Sequence, residues 1–395
     1  MGRKADVPDT PSAKTVRMLE RLIAFDTTSR NSNLELIRDV ERYLTGLGVD
    51  CELTYDDAGG KANLFATLGP VDRPGIALSG HTDVVPVNGQ DWSSDPFDAV
   101  QRDGKFYGRG TCDMKGFLAA CLAYAPKFLE ARPETPVHLC LSYDEEVGCL
   151  GVRKLLADLA RRPVKPRMVI VGEPTEMRVV NAHKGKLSMR ATVRGLSCHS
   201  SLAPQGVNAV EAAARLTVFL SDMARRKAQE GPFDEAFDVP HTTVQAGVID
   251  GGTAVNIVPS ECRLAFEFRN LPQDDPRDLL AEAVDFVRRE VEPAMQAIDP
   301  ATGFTFEELA SFPALDTEPD AAVVTLTKAL ARANSTSKVA FGTEAGLFAA
   351  DGIPAVVCGP GSIEQAHKPD EFITLDQLAQ CEWFLDRLLD HVRGG

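Results

Sequence analysis

Short apolar runs at residues 63–67, 75–78, 137–141 and 168–171 punctuate the first half of this chain. Continuous runs of this length suit central strands covered on both faces by helices. Three of them lead straight into motifs rich in acids and histidine: Ser79-Gly80-His81-Thr82-Asp83, Asp144-Glu145-Glu146-Val147-Gly148 and Gly172-Glu173-Pro174. The C-terminal ends of strands in an open α/β sheet are where ligands bind. The recurrence therefore predicts a sheet whose one edge gathers polar side chains from several strands.

At 395 residues the chain is too long for one simple core, and two domains are expected. Amphipathic helices are predicted at 15–23 and at 34–47, the latter ended by Gly48. From about Lys184 the pattern changes. Strand 186–195, helix 208–228, strand 242–249, a long strand 254–269, helix 276–291 and strand 304–310 follow in turn. This β-α-β-β-α-β order matches a ferredoxin-like insert. After Pro313 the helix–strand alternation resumes and closes on a helix over 374–392. The expected architecture is α/β, a mixed and largely parallel sheet flanked by helices, with an inserted α+β domain. Residues 1–183 and 313–395 would form the first domain and 184–312 the second.

The motif side chains suit metal-assisted hydrolysis, which needs oxygen and nitrogen ligands on several segments and a carboxylate left free to move protons. His81 and Asp83 are two apart and face one side if the strand continues. His81 would bind metal through one ring nitrogen, with the Asp83 carboxylate accepting from the other. Asp113, in the turn Gly110-Thr111-Cys112-Asp113-Met114-Lys115-Gly116 before a helix starting near Phe117, can bridge two ions. Glu145 and Glu146 should diverge, one toward metal and one toward water. Pro174 would stop a strand and turn Glu173 inward. Gln365-Ala366-His367-Lys368-Pro369 adds a second imidazole.

A formal charge of −15 argues against a nucleic-acid partner. No stretch reaches the length of a transmembrane helix, which argues against a membrane partner. Nine dispersed cysteines without a C-x-x-C pair indicate a reducing compartment rather than a disulfide framework. Met1 to Pro8 carries Arg3 and Lys4 with no apolar core behind them, and Asp6 spoils a myristoylation context for Gly2. A cytoplasmic location is expected.

Taken together, these motifs resemble the co-catalytic zinc amidohydrolases, a family of N-acyl amino acid deacylases, desuccinylases, carboxypeptidases and dipeptidases with a zinc-exopeptidase-like fold. The resemblance covers nearly the whole chain. It implies two Zn2+, replaceable by Co2+ or Mn2+, with His81 and Glu173 on one, Glu146 and His367 on the other, and Asp113 between them. Glu145 would be the general base, and the Asp113–Met114 peptide would be cis. The insert would be a lid and dimerisation domain, making the protein a homodimer. In Ser197-Cys198-His199-Ser200-Ser201, His199 would stabilise an oxyanion across that dimer. Asn256 and Arg269 would bind the substrate carboxylate, and Gly359 and Gly361 would cradle the substrate. Three stretches look most like the acetylornithine deacetylase branch: Val180-Asn181-Ala182-His183-Lys184-Gly185, the region from His199 to Ala209, and Phe341-Gly342-Thr343-Glu344-Ala345-Gly346. That likeness implies hydrolysis of N2-acetyl-L-ornithine, with Glu344 meeting the substrate ammonium or organising the pocket. Succinyl-diaminopimelate and other N-acyl amino acids are the alternative substrates.

Overall fold

The computed structural model describes residues 10–394, so the expectations for Gly2, Asp6 and the stretch from Met1 to Pro8 lie outside the described residues. The chain divides into two compact units. The first holds residues up to Ala182, Leu315–Lys338 and Thr343–Gly395; the second holds His183–Ala314 and Val339–Gly342. The short piece Val339–Gly342, placed with the first domain by its position in the chain, groups with the second unit.

In the first unit the sheet runs Cys51–Tyr55, Ala62–Leu68, Val137–Ser142, Ile76–His81, Met168–Pro174, Ala355–Gly359 and Val180–His183, ending on Leu315–Asp316. The middle four strands are parallel, and Ala62–Leu68, Cys51–Tyr55 and Val180–His183 are added antiparallel. Every residue of those four is buried, as the unbroken apolar runs require. The strands outlast their apolar runs: His81 ends one and Glu173 lies inside another, rather than in the loops that follow. Helix Lys115–Ala131, apolar nearly all round, is buried in the core cluster and begins two residues before Phe117. Helices Ala13–Ile23 and Leu375–Val392 contribute their apolar faces to the same cluster.

In the second unit the antiparallel sheet runs Thr243–Gly251, Glu261–Arg269, Lys186–Arg194, Gly303–Phe312. Leu216, Leu220 and Met223 of helix Ala209–Glu230 pack with Leu279 and Ala283 of helix Pro276–Phe286 against Leu187, Met189, Leu264 and Phe266 of the sheet. Chain order and strand order together are ferredoxin-like. The strand expected over 254–269 begins only at Glu261. Residues 254–260 turn instead, and Pro259, with no N–H to give a ladder, breaks the alternation there.

Candidate metal centre

All the predicted metal ligands belong to the first unit, and the fold brings them together. His81 is carried by a central strand and Glu173 by the next one, and both are buried. Glu145 and Glu146 lie in the turn after Val137–Ser142, whose Ser142 is in register with His81. Asp113 precedes helix Lys115–Ala131 through a cis Asp113–Met114 peptide. His367 enters from a turn with φ of 64°.

Asp113 stands between the imidazoles. Its Oδ1 lies 3.1 Å from His81 Nε2, and its Oδ2 lies 3.2 Å from His367 Nε2. Glu173 Oε1 is 3.7 Å from His81 Nε2, and Glu146 Oε2 is 3.0 Å from His367 Nε2. Ligand atoms of His81, Asp113 and Glu146 lie within 4.8 Å of one another, as do those of His81, Glu145 and Glu173.

The tautomer of His81 decides what this arrangement needs. Its Nδ1 sits 2.8 Å from the Asp83 carbonyl oxygen, which can only accept, so the proton is on Nδ1. In its neutral form the ring aims the lone pair of Nε2 at two carboxylates. Glu173 Oε1 is buried without a hydrogen-bond partner. Converging lone pairs of this kind call for a cation. Burial, together with the charges of Asp113, Glu145 and Glu146, pushes the Glu173 carboxyl well above its ordinary value against the pull of His81. Burial likewise lifts Glu145 to about 8, helped by Glu146, Asp113 and Asp83 and opposed by His81. Hydrogen bonds to Asp113 and Glu146 raise His367 to about 10 despite burial. Without a divalent cation these groups can share the site only by taking up protons. The residues fit a pair of ions bridged by Asp113.

The profile of peptidase family M20/M25/M40 matches residues 77–391. The chain belongs to that family. It is 36% identical to an acetylornithine deacetylase of Myxococcus xanthus over 386 residues, 95% of this chain and 97% of the relative. Among solved structures, an M20-family metallo-carboxypeptidase of Sulfolobus solfataricus superposes with a TM-score of 0.73 at 19% identity, covering 97% of this chain and all of the other. A dinuclear metal-binding peptidase of the M20 family from Bacillus subtilis gives 0.66 at 15% identity, covering 96% and 98%. Family and site together make the chain a metal-dependent hydrolase of amide bonds.

Several M20 site residues take positions other than those expected. The Asp83 carboxylate stays 3.6 Å from His81 Nδ1, because the Asp83 backbone oxygen accepts from that N–H. The carboxylate instead accepts from the N–H groups of Glu145 (3.0 Å) and Glu146 (3.3 Å) and from the Ser29 hydroxyl (2.7 Å). Asp83 thus anchors the Glu145–Glu146 turn. Glu344 is fully buried, with Oε1 taking the Ser79 hydroxyl at 2.5 Å and Oε2 that of Ser142 at 2.7 Å. Both oxygens accept from hydroxyls on strands beside His81, which fixes the carboxylate within the centre.

Gly359 and Gly361 both serve the fold. A Cβ on Gly359 would come within 1.9 Å of the Gly172 carbonyl oxygen. Its own carbonyl accepts from Thr175 and Met177 N–H groups. Gly361 has φ of 90°, donates to Gln377 Oε1 and accepts from Glu176. Both carbonyls accept from the segment after Glu173, and the Gly361 N–H goes to Gln377.

The remaining candidates lie in the second unit. His199 and Asn256 share one exposed surface, joined by the Ser200 N–H to Asn256 carbonyl bond of 3.0 Å and a bridge between His199 and Ile257. His199 Nδ1 pairs with the Ser201 hydroxyl at 2.8 Å. Arg269 ends its strand and donates through Nε to Glu267 at 3.1 Å. Sequence reasoning missed Glu371, Arg109 and Gln90, which surround the Asp113 turn. The one hint was Arg109 itself, a charge between glycines in a turn that had to be buried.

Proposed function

We propose that this protein hydrolyses N2-acetyl-L-ornithine to L-ornithine and acetate, as a step of arginine biosynthesis, with two zinc ions as cofactors. The observation that carries the two-ion reading is the single Asp113 carboxylate shared between two imidazoles. The substrate is supported by the 36% identity, over nearly its full length, to a relative named acetylornithine deacetylase. His81 and Glu173 would hold one ion, His367 and Glu146 the other, and Asp113 both. Carboxylate-rich sites of this kind also accept cobalt or manganese. When bound, the ions supply Lewis acidity that polarises the acyl carbonyl and acidifies water.

The rest of the reaction falls to the chain itself. Glu145 takes a proton from the attacking water and delivers it to the departing α-amine as the C–N bond breaks. Asp83 holds the Glu145 turn through two N–H groups, so that carboxylate is aimed before substrate arrives. His199 steadies the oxyanion, acting in the active site of the partner subunit of a homodimer formed through the second unit. Asn256 and Arg269 take the substrate carboxylate, for which the guanidinium fork is suited. Free cysteines at all nine positions favour a cytoplasmic location. No helix among the described residues is long and apolar enough to cross a membrane.

The test is turnover by zinc-loaded protein on N2-acetyl-L-ornithine, N-succinyl-diaminopimelate and N-acetylmethionine, read as amine release. A kcat/KM at least tenfold higher for acetylornithine is expected. Preference for either other substrate would overturn the assignment while leaving the metal centre standing.

A further inference from the structure

Asp113 is held in place from the far end of the chain. Glu371 is buried, and its carboxylate accepts three backbone N–H groups of the Asp113 turn: Gly110 at 3.0 Å, Cys112 at 2.9 Å and Asp113 at 3.0 Å. Arg109 Nη1 adds a fourth donor at 2.7 Å. Both oxygens are filled, which keeps Glu371 out of the ligand set although it lies beside a ligand. Arg109 is itself buried, lies over the Trp92 ring at 5.0 Å, and donates through Nη2 to Gln90 Oε1 at 2.6 Å. Gln90 Nε2 in turn donates to the His367 carbonyl at 2.9 Å.

That last bond reaches a residue that needs holding. His367 has a left-handed backbone that non-glycine residues seldom adopt and that persists where surroundings over-determine it. The chain Asp113 turn, Glu371, Arg109, Gln90, His367 therefore links the shared carboxylate to one of the two imidazoles that face it. A buried ion pair is weak ground for stability, since apolar residues of like volume often replace it at no cost. Apolar residues could not orient three N–H groups or grip a ligand's carbonyl.

We propose that Glu371, Arg109 and Gln90 form a positioning relay that sets His367 against Asp113, so that the ion at the His367–Glu146 position is bound tightly only while the relay is intact. The proposal rests on the two-ion reading above. Zinc affinities of apo-protein, measured by competition with a chromophoric chelator beside thermal unfolding of the same samples, test it. Glu371→Gln should weaken the looser of two zinc sites about 10–100-fold, the range for lost partners of metal ligands. Gln90→Ala, at a half-exposed position, should move the same constant by less, leaving the tighter site within twofold. Asp39→Asn breaks a bidentate pair with Arg21 on helix Ala13–Ile23, outside the relay, and should lower the unfolding temperature without moving either constant. Unchanged zinc constants in both relay variants would overturn the relay while leaving the two-ion reading intact. So would weakening of both sites together, in step with lost stability. Should Glu371→Gln fail to fold, Gln90→Ala decides alone. Uptake of fewer than two zinc ions by the unaltered protein would instead remove the two-ion reading, and the relay with it.

Discussion

The two halves of the metal centre are built to different standards. His81, with a side chain 1% exposed, is fixed by a central strand with parallel neighbours on both sides. Its partner Glu173 lies on one of those neighbours. His367, 51% exposed, sits in a turn and owes its position to side-chain hydrogen bonds. One half is thus organised by the sheet itself and the other by a loop leaned against it. The comparison teaches that a shared ligand can join a rigid position to an adaptable one, and that the two should respond differently to mutation.

The largest effect should come from a change that spares both halves. Glu145→Ala is expected to keep two bound metal ions and lose about 10²–10⁴-fold in kcat, the usual contribution of general acid–base catalysis. Metal analysis beside turnover checks this; loss of an ion would move Glu145 into the ligand set. Next, His367→Ala should lose one zinc and leave the fold unchanged by circular dichroism. His81→Ala should disturb both ions and lower the unfolding temperature of the apo-protein, because it opens a hole in the buried strand edge. Equal behaviour of the two variants would erase the contrast.

A smaller effect is expected from Gly359→Ala, which forces a methyl against the Gly172 carbonyl beside Glu173. Overpacking of this kind costs about 1–3 kcal/mol. Chemical denaturation measures that cost, and zinc competition should show the loss on the sheet-borne side.

The smallest effect is a pH slope within the sheet. His138 is buried in Val137–Ser142, bonded to Thr67 and stacked on Phe65. Burial, with a contribution from Arg162, lowers its pKa from 6.5 to about 4. Between those values the unfolded chain holds a proton that the folded one refuses, so stability falls as pH drops from about 6.5 toward 4. The slope is on the order of 1 kcal/mol per pH unit. His138→Asn should flatten it in denaturation curves taken at pH 7 and pH 5, and an unchanged slope would assign it to other groups.

The contrast between the halves also explains what could be read in the sequence. His81, Glu146 and Glu173 were legible because each follows a run that must be a central strand, and strand ends converge. The ferredoxin-like order was legible from alternating periods. The start of the 254–269 strand was not, because Ala254, Val255, Ile257 and Val258 mimic a strand's apolar content around a turn. For Glu344 the sequence left open whether it meets the substrate or organises the pocket, because a chain pattern carries no information on which way a carboxylate points. In the structure it faces the hydroxyls of Ser79 and Ser142. The Glu371–Arg109 relay was out of reach because its partners lie some 260 residues apart and meet only after folding. For the same reason the packing demand on Gly359 and Gly361 was out of reach, since it comes from Gly172 and Cys112.

The two-ion reading holds that a pair of ions shares Asp113. Anomalous diffraction at the zinc edge from crystals grown with zinc tests it most directly. Two peaks roughly 3.5–4 Å apart, one beside His81 and Glu173 and one beside His367 and Glu146, with an Asp113 oxygen on each, are the predicted result. A single peak, or two that do not share Asp113, would contradict it.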